Sequence, residues 1–160
     1  MLSADVGRKG CDTVICVFKV TPQAQGPAIK SLVNIYTMTD EHMEDQAIKL
    51  KKLFYKYKAR TLVIDGNGLG IGLVDYMIKS QEDENGDFYP DFGVENDDDG
   101  YYKKYRTANT EYDAMYILKA NAPINTECHS NAQTQLASGK VKFLIDERAA
   151  KEKLLGTAKG

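Results

Sequence analysis

A short apolar run that ends in an acid and a glycine-rich segment constrains this chain more than any other feature. Residues 61–64 (TLVI) are continuously apolar apart from the leading threonine, as is typical of a strand buried on both faces of a sheet. Asp65 ends the run, and in residues 66–72 (GNGLGIG) every second residue is glycine. An acid at the carboxyl end of a buried strand lies where open α/β sheets place their ligands. The pattern therefore predicts an α/β sheet with a site at Asp65.

The first 38 residues predict a set of antiparallel strands. Residues 1–6, 11–20 and 29–38 are rich in β-branched and other apolar residues, and glycine- or proline-containing turns separate them. Because both connections are short, consecutive strands are expected to pair as an antiparallel meander of three strands.

Strand and helix patterns then alternate, which indicates a mixed α/β sheet with parallel strands and flanking helices. Apolar residues at spacings of three and four predict a helix that ends near Tyr57, with Thr39 or Asp40 as its N-cap. Residues 81–100 are acidic and turn-rich, and they predict a mobile loop around a short strand near Phe92. The other predicted elements are a second helix from Leu73, helices at about 110–120 and 125–137, a strand at 141–145 and a last helix capped by Asp146.

Composition excludes several classes of protein. A chain of 160 residues with 42% hydrophobic and 28% charged residues is typical of one globular domain, here residues 1–160. No apolar run could span a bilayer and no signal peptide opens the chain, so we predict a cytoplasmic protein with no membrane partner. The three cysteines lack CxxC spacing, which argues against a disulfide framework or a structural zinc.

The net charge of -2 conceals an asymmetry along the chain. Residues 82–99 contain many of the acids and no lysine or arginine, so the remainder of the chain is net positive. A mildly basic body is compatible with nucleic-acid binding. Two interpretations of the acidic segment stay open: it repels DNA as a flap, or it only keeps the fold soluble.

Asp5, on the first predicted strand, is a natural partner for Asp65. If the first and fourth strands are neighbours, the two carboxylates face one point, where a divalent cation would relieve their repulsion. Hard carboxylate oxygens favour Mg²⁺ or Mn²⁺ over zinc. The alternative is that both acids are turn or cap residues. Asp12 and Asp75 are reserve candidates, for which surface solvation is the simpler interpretation.

Basic residues and glycines suggest how a phosphate group could be held. Arg8 and Lys9 directly follow the turn after Asp5 and could contact a phosphate backbone. A second basic segment, YYKKYR, interleaves tyrosines with Lys103, Lys104 and Arg106. The alternative for both is a set of solvated side chains. The glycine segment matches neither GxGxxG nor GxxxxGK[ST], so the sequence does not support a dinucleotide or P-loop site.

Three stretches together carry a resemblance to a known family. They are SADVGRKGCDTVICVFKV, TLVIDGNGLGIGLVDYMIK and YILKANAPINTECHSNAQTQLASGKVKFLIDERAAKEKLLGT. In this order they resemble the nuclease domain of the large terminases of tailed phages, which has a ribonuclease H-like fold. The resemblance covers most of the chain, and the acidic segment 82–99 is the least matched part. It implies an endonuclease, dependent on Mg²⁺ or Mn²⁺, that cuts concatemeric viral DNA during genome packaging.

The resemblance also implies roles and partners. Asp5 matches the family's first acid and would bridge two metal ions, and Asp65 matches the second acid and would ligate one of them. A third acid is implied beyond residue 160, so the chain would be a fragment that also lacks an upstream ATPase domain. The implied partners are double-stranded DNA, the ATPase domain, the small terminase subunit and the portal. Two alternatives remain: a resolvase- or transposase-type nuclease on the same scaffold, and a non-catalytic docking module.

Overall fold

The computed structural model describes residues 1–110 and 113–144 as nine strands, three α-helices and a single 3-10 turn at Lys103–Tyr105. Seven of these strands form one sheet in the order β7-β8-β4-β1-β2-β3-β9, and β5 and β6 form a separate hairpin. The elements are β1 (Leu2–Asp5), β2 (Asp12–Thr21), β3 (Ile29–Thr39), α1 (Met43–Lys56), β4 (Leu62–Asp65), α2 (Leu69–Met77), β5 (Gln81–Glu82), β6 (Phe88–Tyr89), β7 (Gly93–Val94), β8 (Asp113–Leu118), α3 (Ala122–Ala137) and β9 (Val141–Lys142).

The large sheet is mixed, as the sequence predicts. Strands β1, β2 and β3 pair as an antiparallel meander, with Asp5 opposite Val14 in β2. Strand β4 then pairs parallel to β1, β8 pairs parallel to β4, and β7 pairs parallel to β8. Strand β4, which ends at Asp65, therefore lies next to β1, the first strand of the chain. The prediction of a meander followed by parallel strands is confirmed.

Helices α1 and α2 cover one face of the sheet, and in the part of the chain that the structure describes no helix residue is buried against the other, open face. The predicted apolar stripe of α1 is buried in the core, where α1 packs against α2. Helix α3 has no buried residue. On the open face Val33 and Ile35 are exposed, and Val63 of β4 is only half-buried, so β4 is not buried on both faces as predicted. Among the described residues no helix is both long and apolar enough to cross a membrane.

Helix α1 begins later than predicted, because both predicted N-caps have other partners. The Thr39 hydroxyl lies at the end of β3 and donates a hydrogen bond to Asp12 (2.7 Å). The Asp40 carboxylate accepts the backbone N–H of Gly10 (2.9 Å), and its own backbone has a positive φ of 52°. The N-cap position falls instead on His42, whose side chain makes no capping hydrogen bond.

Two other predicted boundaries are wrong. Helix α2 begins at Leu69, inside the glycine segment, rather than at Leu73. Residues 113–118 form strand β8 rather than part of a helix, because both edges of this short segment find parallel partners in β4 and β7. Helix α3 covers the helix predicted at about 125–137, and β9 covers the start of the predicted last strand. The helix predicted after Asp146 lies outside the described residues.

Part of the segment predicted to be a mobile loop contributes to the core, and β7 is the short strand predicted near Phe92. Phe92 is buried and packs against Phe54, with ring centroids 4.8 Å apart. Asp91 is 1% exposed, and its carboxylate accepts hydrogen bonds from the hydroxyls of Ser80, Thr107 and Thr110. Burial acts to raise the pKa of Asp91, but these hydrogen bonds outweigh it and lower the pKa below its usual value. The acids of this segment are therefore partly structural.

The burial of Lys51 predicts an unusual pH dependence of the free energy of unfolding. Its side chain is fully buried and donates to the backbone oxygen of Lys79 (2.5 Å), and desolvation lowers its pKa from 10.5 to about 8. Between pH 8 and 10.5 the unfolded chain holds a proton that the folded chain has released, so this group makes folding more favourable as the pH rises. The slope should approach 1.4 kcal/mol per pH unit (about 2.303RT).

Urea unfolding of the wild type and of Lys51→Met between pH 7.5 and 10.5 measures this effect. Because tyrosines titrate in the same range, the quantity of interest is the difference between the two proteins. We expect the free energy of unfolding of the wild type to rise relative to that of the variant as the pH increases. A constant difference would show that folding does not lower the pKa of Lys51.

Candidate metal centre

The two predicted acids lie side by side at the carboxyl ends of neighbouring strands. The parallel register of β1 and β4 pairs Ala4 with Ile64, and Asp5 and Asp65 are the next residues of the two strands. Neighbouring strands are about 4.8 Å apart. Ala4 and Ile64 are buried on the helix-covered face, so the alternation of side chains points both aspartates to the open face. The carboxylates thus share one face and one edge of the sheet.

The hydrogen bonding of the pair leaves oxygen atoms available. Oδ1 of Asp65, which is half-buried, accepts the backbone N–H of Asn67 (3.0 Å). Asp5 is exposed and has neither a hydrogen-bond donor nor an ion-pair partner among the described residues. Two like charges held at this spacing without a cationic partner repel each other. A hard divalent cation between them is the chemistry that suits this donor set.

A buried polar network fixes the turn that follows Asp5. The hydroxyl of Thr13 accepts the backbone N–H of Gly7 (2.8 Å) and lies 2.7 Å from Oε1 of Gln46. Nε2 of Gln46 donates to the backbone oxygen of Gly7 (3.1 Å). Both side chains are almost completely buried, and a Cβ at Gly7 would collide with the backbone oxygen of Asp12. The chain therefore leaves β1 in one direction, which restricts where Asp5 can point.

Thr13→Val should weaken both the fold and the site. Valine keeps the shape of threonine but leaves the Gly7 N–H and the Oε1 atom of Gln46 without their hydrogen-bond partner, at a cost of about 1–3 kcal/mol. We expect a lower free energy of unfolding in urea and a smaller rise in melting temperature on adding Mn²⁺. Thr37→Val is the matched control, because Thr37 is exposed on β3. Equal behaviour of the two variants would contradict a positioning role for Thr13.

The predicted basic residues lie at two separate places. Arg8 and Lys9 are exposed in the turn between β1 and β2, and the backbone oxygen of Arg8 accepts the N–H of Cys11 (2.6 Å). They directly follow Gly7, the residue that the buried network holds in place. Their side chains are thus at the same edge of the sheet as Asp5.

The second basic segment forms an aromatic cluster. The Lys104 amino group lies over the Tyr101 ring (4.1 Å to the centroid) and the Tyr105 ring (4.9 Å). The hydrogen bond from Tyr101 and the nearby Lys104 lower the pKa of Tyr105. Lys103 is exposed, whereas Arg106 forms an ion pair with Asp113 (2.8 Å). Lys103 and Lys104 are thus exposed cations, but Arg106 would have to leave its partner to contact DNA.

A groove of about 650 Å³ lies between this cluster and the end of β8. One wall is formed by Tyr101 and Tyr102, and another by Leu118, which lies opposite Asp65 in the sheet. The reserve candidate Asp75 lines the same groove, as do several acids of residues 97–99. The other reserve candidate, Asp12, is engaged by the Thr39 hydroxyl. Neither joins the Asp5–Asp65 pair as a third ligand.

In the part of the chain that the structure describes, no three His, Cys, Asp or Glu side chains are grouped so that they could hold a metal ion. Asp5 and Asp65 alone would therefore be two ligands rather than a complete set. Their oxygen chemistry fits Mg²⁺ or Mn²⁺, which retain several water ligands and need few protein ligands.

Comparison with solved structures identifies the architecture. The chain is similar to the crystal structure of the large terminase nuclease from the thermophilic phage G20c with bound magnesium, at a TM-score of 0.53 and 17% identity over 92% of this chain. The structure of the same nuclease with bound cobalt gives a TM-score of 0.52 at 17% identity, over 91% of this chain. The fold is that of a large terminase nuclease. The mixed sheet and its flanking helices are accordingly ribonuclease H-like.

The structural similarity covers only part of each of the two phage nuclease chains. The chain spans 58% of the length of the magnesium-bound nuclease and 57% of the cobalt-bound one. No family model matches the sequence, and no curated protein matches it. The structural likeness thus rests on the arrangement of strands and helices rather than on sequence identity.

The sequence pattern does not single out the side chains that position the two acids. Gln46 lies among the apolar residues of the buried stripe of α1, three residues after Met43, so a polar residue on a buried helix face was the available signal. Thr13 lies in a β-branched strand where nothing distinguishes it from its neighbours. Asn67 donates its side-chain amide to the backbone oxygen of Ala120 (3.0 Å), which joins the turn after Asp65 to the end of β8.

Proposed function

We propose that this chain is a nuclease domain of a viral large terminase, residues 1–160 being a fragment of it, which hydrolyses phosphodiester bonds of concatemeric double-stranded DNA. The observation that carries the proposal is the juxtaposition of Asp5 and Asp65 on the open face of a ribonuclease H-like sheet. The magnesium- and cobalt-bound states of the similar phage nuclease support a divalent cation as the cofactor.

The residues of the chain have distinct tasks in this proposal. Asp5 would bridge two Mg²⁺ or Mn²⁺ ions and Asp65 would ligate one of them. When bound, such ions activate a water molecule and stabilise the leaving oxygen of the phosphodiester. Thr13 and Gln46 hold the turn after Asp5, and the exposed Arg8 and Lys9 would neutralise phosphates next to the scissile bond.

Further contacts complete the proposed DNA interface. Lys103 and Lys104 would contact the phosphate backbone beside the groove next to Asp65, and Arg106 would do so after leaving Asp113. The proposal places the protein in the cytoplasm of the infected cell, with an ATPase domain, the small terminase subunit and the portal as partners. A third acid ligand would come from the chain beyond residue 160.

A non-catalytic docking module is the second candidate. One observation favours it: the described residues contain no group of three or more metal-ligating side chains. Such a module would bind DNA or another packaging protein and would not cleave. A resolvase- or transposase-type nuclease would share the chemistry and differ in its substrate.

Cleavage of supercoiled plasmid and of linear duplex in the presence of Mn²⁺ tests the proposal. We expect nicked and then linear products from this chain or from a version that continues past residue 160, and none with EDTA. Binding of DNA without cleavage by either protein would favour the docking module. A strong preference for four-way junctions or terminal-repeat ends over plain duplex would favour the resolvase or transposase type.

A further inference from the structure

A basic groove lies at the opposite edge of the sheet from the two acids. It has a volume of about 630 Å³ and is formed where β1 and β4 begin and β2 ends. Its cations come from three different elements: Lys19 from β2, Lys58 from the turn after α1, and Arg60 from the approach to β4. Phe18, Val20 and Tyr57 supply apolar and aromatic surface between them. Because β4 has four residues, this edge is about 13 Å from the Asp5–Asp65 edge.

The groove carries positive charge without compensation. None of the residues that line it is acidic. Residues 13–39 and 46–64, which supply most of the groove, contain no aspartate or glutamate at all. Within the described residues the ion pairs join Lys49 to Glu41, Lys52 to Asp83 and Arg106 to Asp113, and none involves a cation of the groove. Three adjacent cations without partners attract a polyanion.

The backbone at Lys58 gives an independent reason to expect that its charge is used. Lys58 follows the end of α1 with a positive φ of 48°, and its N–H donates to the backbone oxygen of Tyr55 (3.0 Å). Glycine is the usual residue in this conformation at a helix end, because a side chain there costs about 1–2 kcal/mol. A lysine at a position that favours glycine therefore lowers stability while it adds a cation to the groove.

We propose that this groove binds the sugar–phosphate backbone of DNA, through Lys19, Lys58 and Arg60, as a contact separate from the acid edge. The inference rests on the proposed function, which brings a polyanion to this domain. Lysine and arginine contact the phosphates, and the apolar side chains between them pack against the deoxyribose rings. These contacts are to the backbone, so they add affinity without sequence preference.

Lys58→Gly separates the charge from the fold. Glycine accepts the positive φ, so the variant should melt at the same temperature as the wild type or higher. We expect it to bind a fluorescent duplex about 3- to 10-fold more weakly in EDTA, and to lower the dependence of log affinity on log salt by about one. Lys19→Gln and Arg60→Gln should each weaken duplex binding and lower its salt dependence by similar amounts. Lys79→Gln, an exposed lysine at the end of α2, is the matched control and should leave affinity nearly unchanged.

The outcomes distinguish this inference from the proposed function. If the wild type binds duplex and the triple variant Lys19→Gln, Lys58→Gly, Arg60→Gln binds it equally well across the salt series, the inference is wrong and the nuclease proposal stands. If the wild type binds no DNA at any salt concentration, the proposed function fails as well. If the triple variant loses binding to poly-glutamate but keeps its affinity for DNA, the groove serves an acidic protein and the inference is overturned.

Discussion

Replacing Asp5 with asparagine is expected to lower the Mn²⁺-dependent cleavage of duplex DNA by more than about 100-fold. Groups that only support a metal ligand typically contribute about 10- to 100-fold, and Asp5 would be a ligand itself. Asp65→Asn should have a similar effect, because in the proposed site Asp65 would hold, from the neighbouring strand, one of the ions that Asp5 bridges. Cleavage rates of supercoiled plasmid at saturating Mn²⁺ measure both effects.

Neither substitution should lower the stability of the folded state. Asp5 is exposed, and removing one of two neighbouring negative charges relieves repulsion, so the melting temperature without metal should stay the same or rise. The rise in melting temperature on adding Mn²⁺ should be lost. Asp87→Asn, the same chemical change at an exposed acid in the turn between β5 and β6, should keep both cleavage and the metal-induced shift. Full cleavage by Asp5→Asn would show that the site lies elsewhere.

Gly70→Ala is expected to destabilise the fold by about 3 kcal/mol or more, as overpacking against backbone can. Gly70 is buried in α2, and a Cβ there would overlap the backbone oxygen of Asp65. The helix and the strand would have to separate, and the turn that carries Asp65 would move with them. Urea unfolding gives the loss of stability, and Mn²⁺ binding should weaken in parallel.

The same substitution two residues later provides the control. A Cβ at Gly72 meets nothing within 4 Å, and alanine is the better helix former by up to about 1 kcal/mol. Gly72→Ala should therefore stabilise the protein, opposite in sign to Gly70→Ala. Two variants of equal stability would mean that α2 does not rest on the end of β4 as described.

The parts of the fold that could be predicted from the sequence are those where local pattern and tertiary packing agree. The β-branched strands of the meander and the apolar stripe of α1 specify both the element and its buried face. Asp65 was located because it follows an apolar strand and precedes a glycine-rich turn, which is where open α/β sheets place their ligands. Its pairing with Asp5 required only that β1 and β4 be neighbours, which the sheet order confirms. Their roles as metal ligands remain predictions.

The errors arose where distant residues decide a local structure. Asp40 is a good N-cap in isolation, but the turn at Gly10 takes its carboxylate. Residues 113–118 are short enough to be a strand or part of a helix, and only the free edges of β4 and β7 settle the choice. Asp91 belongs to an acidic segment by composition, yet three hydroxyls from other parts of the chain hold it inside the protein.

The site shows the same division between local and distant information. The acids are visible in the sequence because their position at strand ends is a local property. The groups that orient Asp5 are not visible in the sequence, because Thr13 and Gln46 meet at Gly7 only after a strand and a helix have packed together. The basic groove is also a tertiary feature, although the absence of acids from residues 13–39 and 46–64 is visible in the sequence.

The central claim is that Asp5 and Asp65 jointly bind a divalent cation, and paramagnetic broadening by Mn²⁺ tests it most directly. In the amide NMR spectrum of the wild type, low concentrations of Mn²⁺ should first broaden the signals of residues 5–7 and 65–67, while residues 19 and 60 at the opposite edge stay sharp. Asp5→Asn should abolish this selective broadening. Broadening centred on the acidic residues 95–99, with the signals of Asp5 and Asp65 unaffected, would contradict the account.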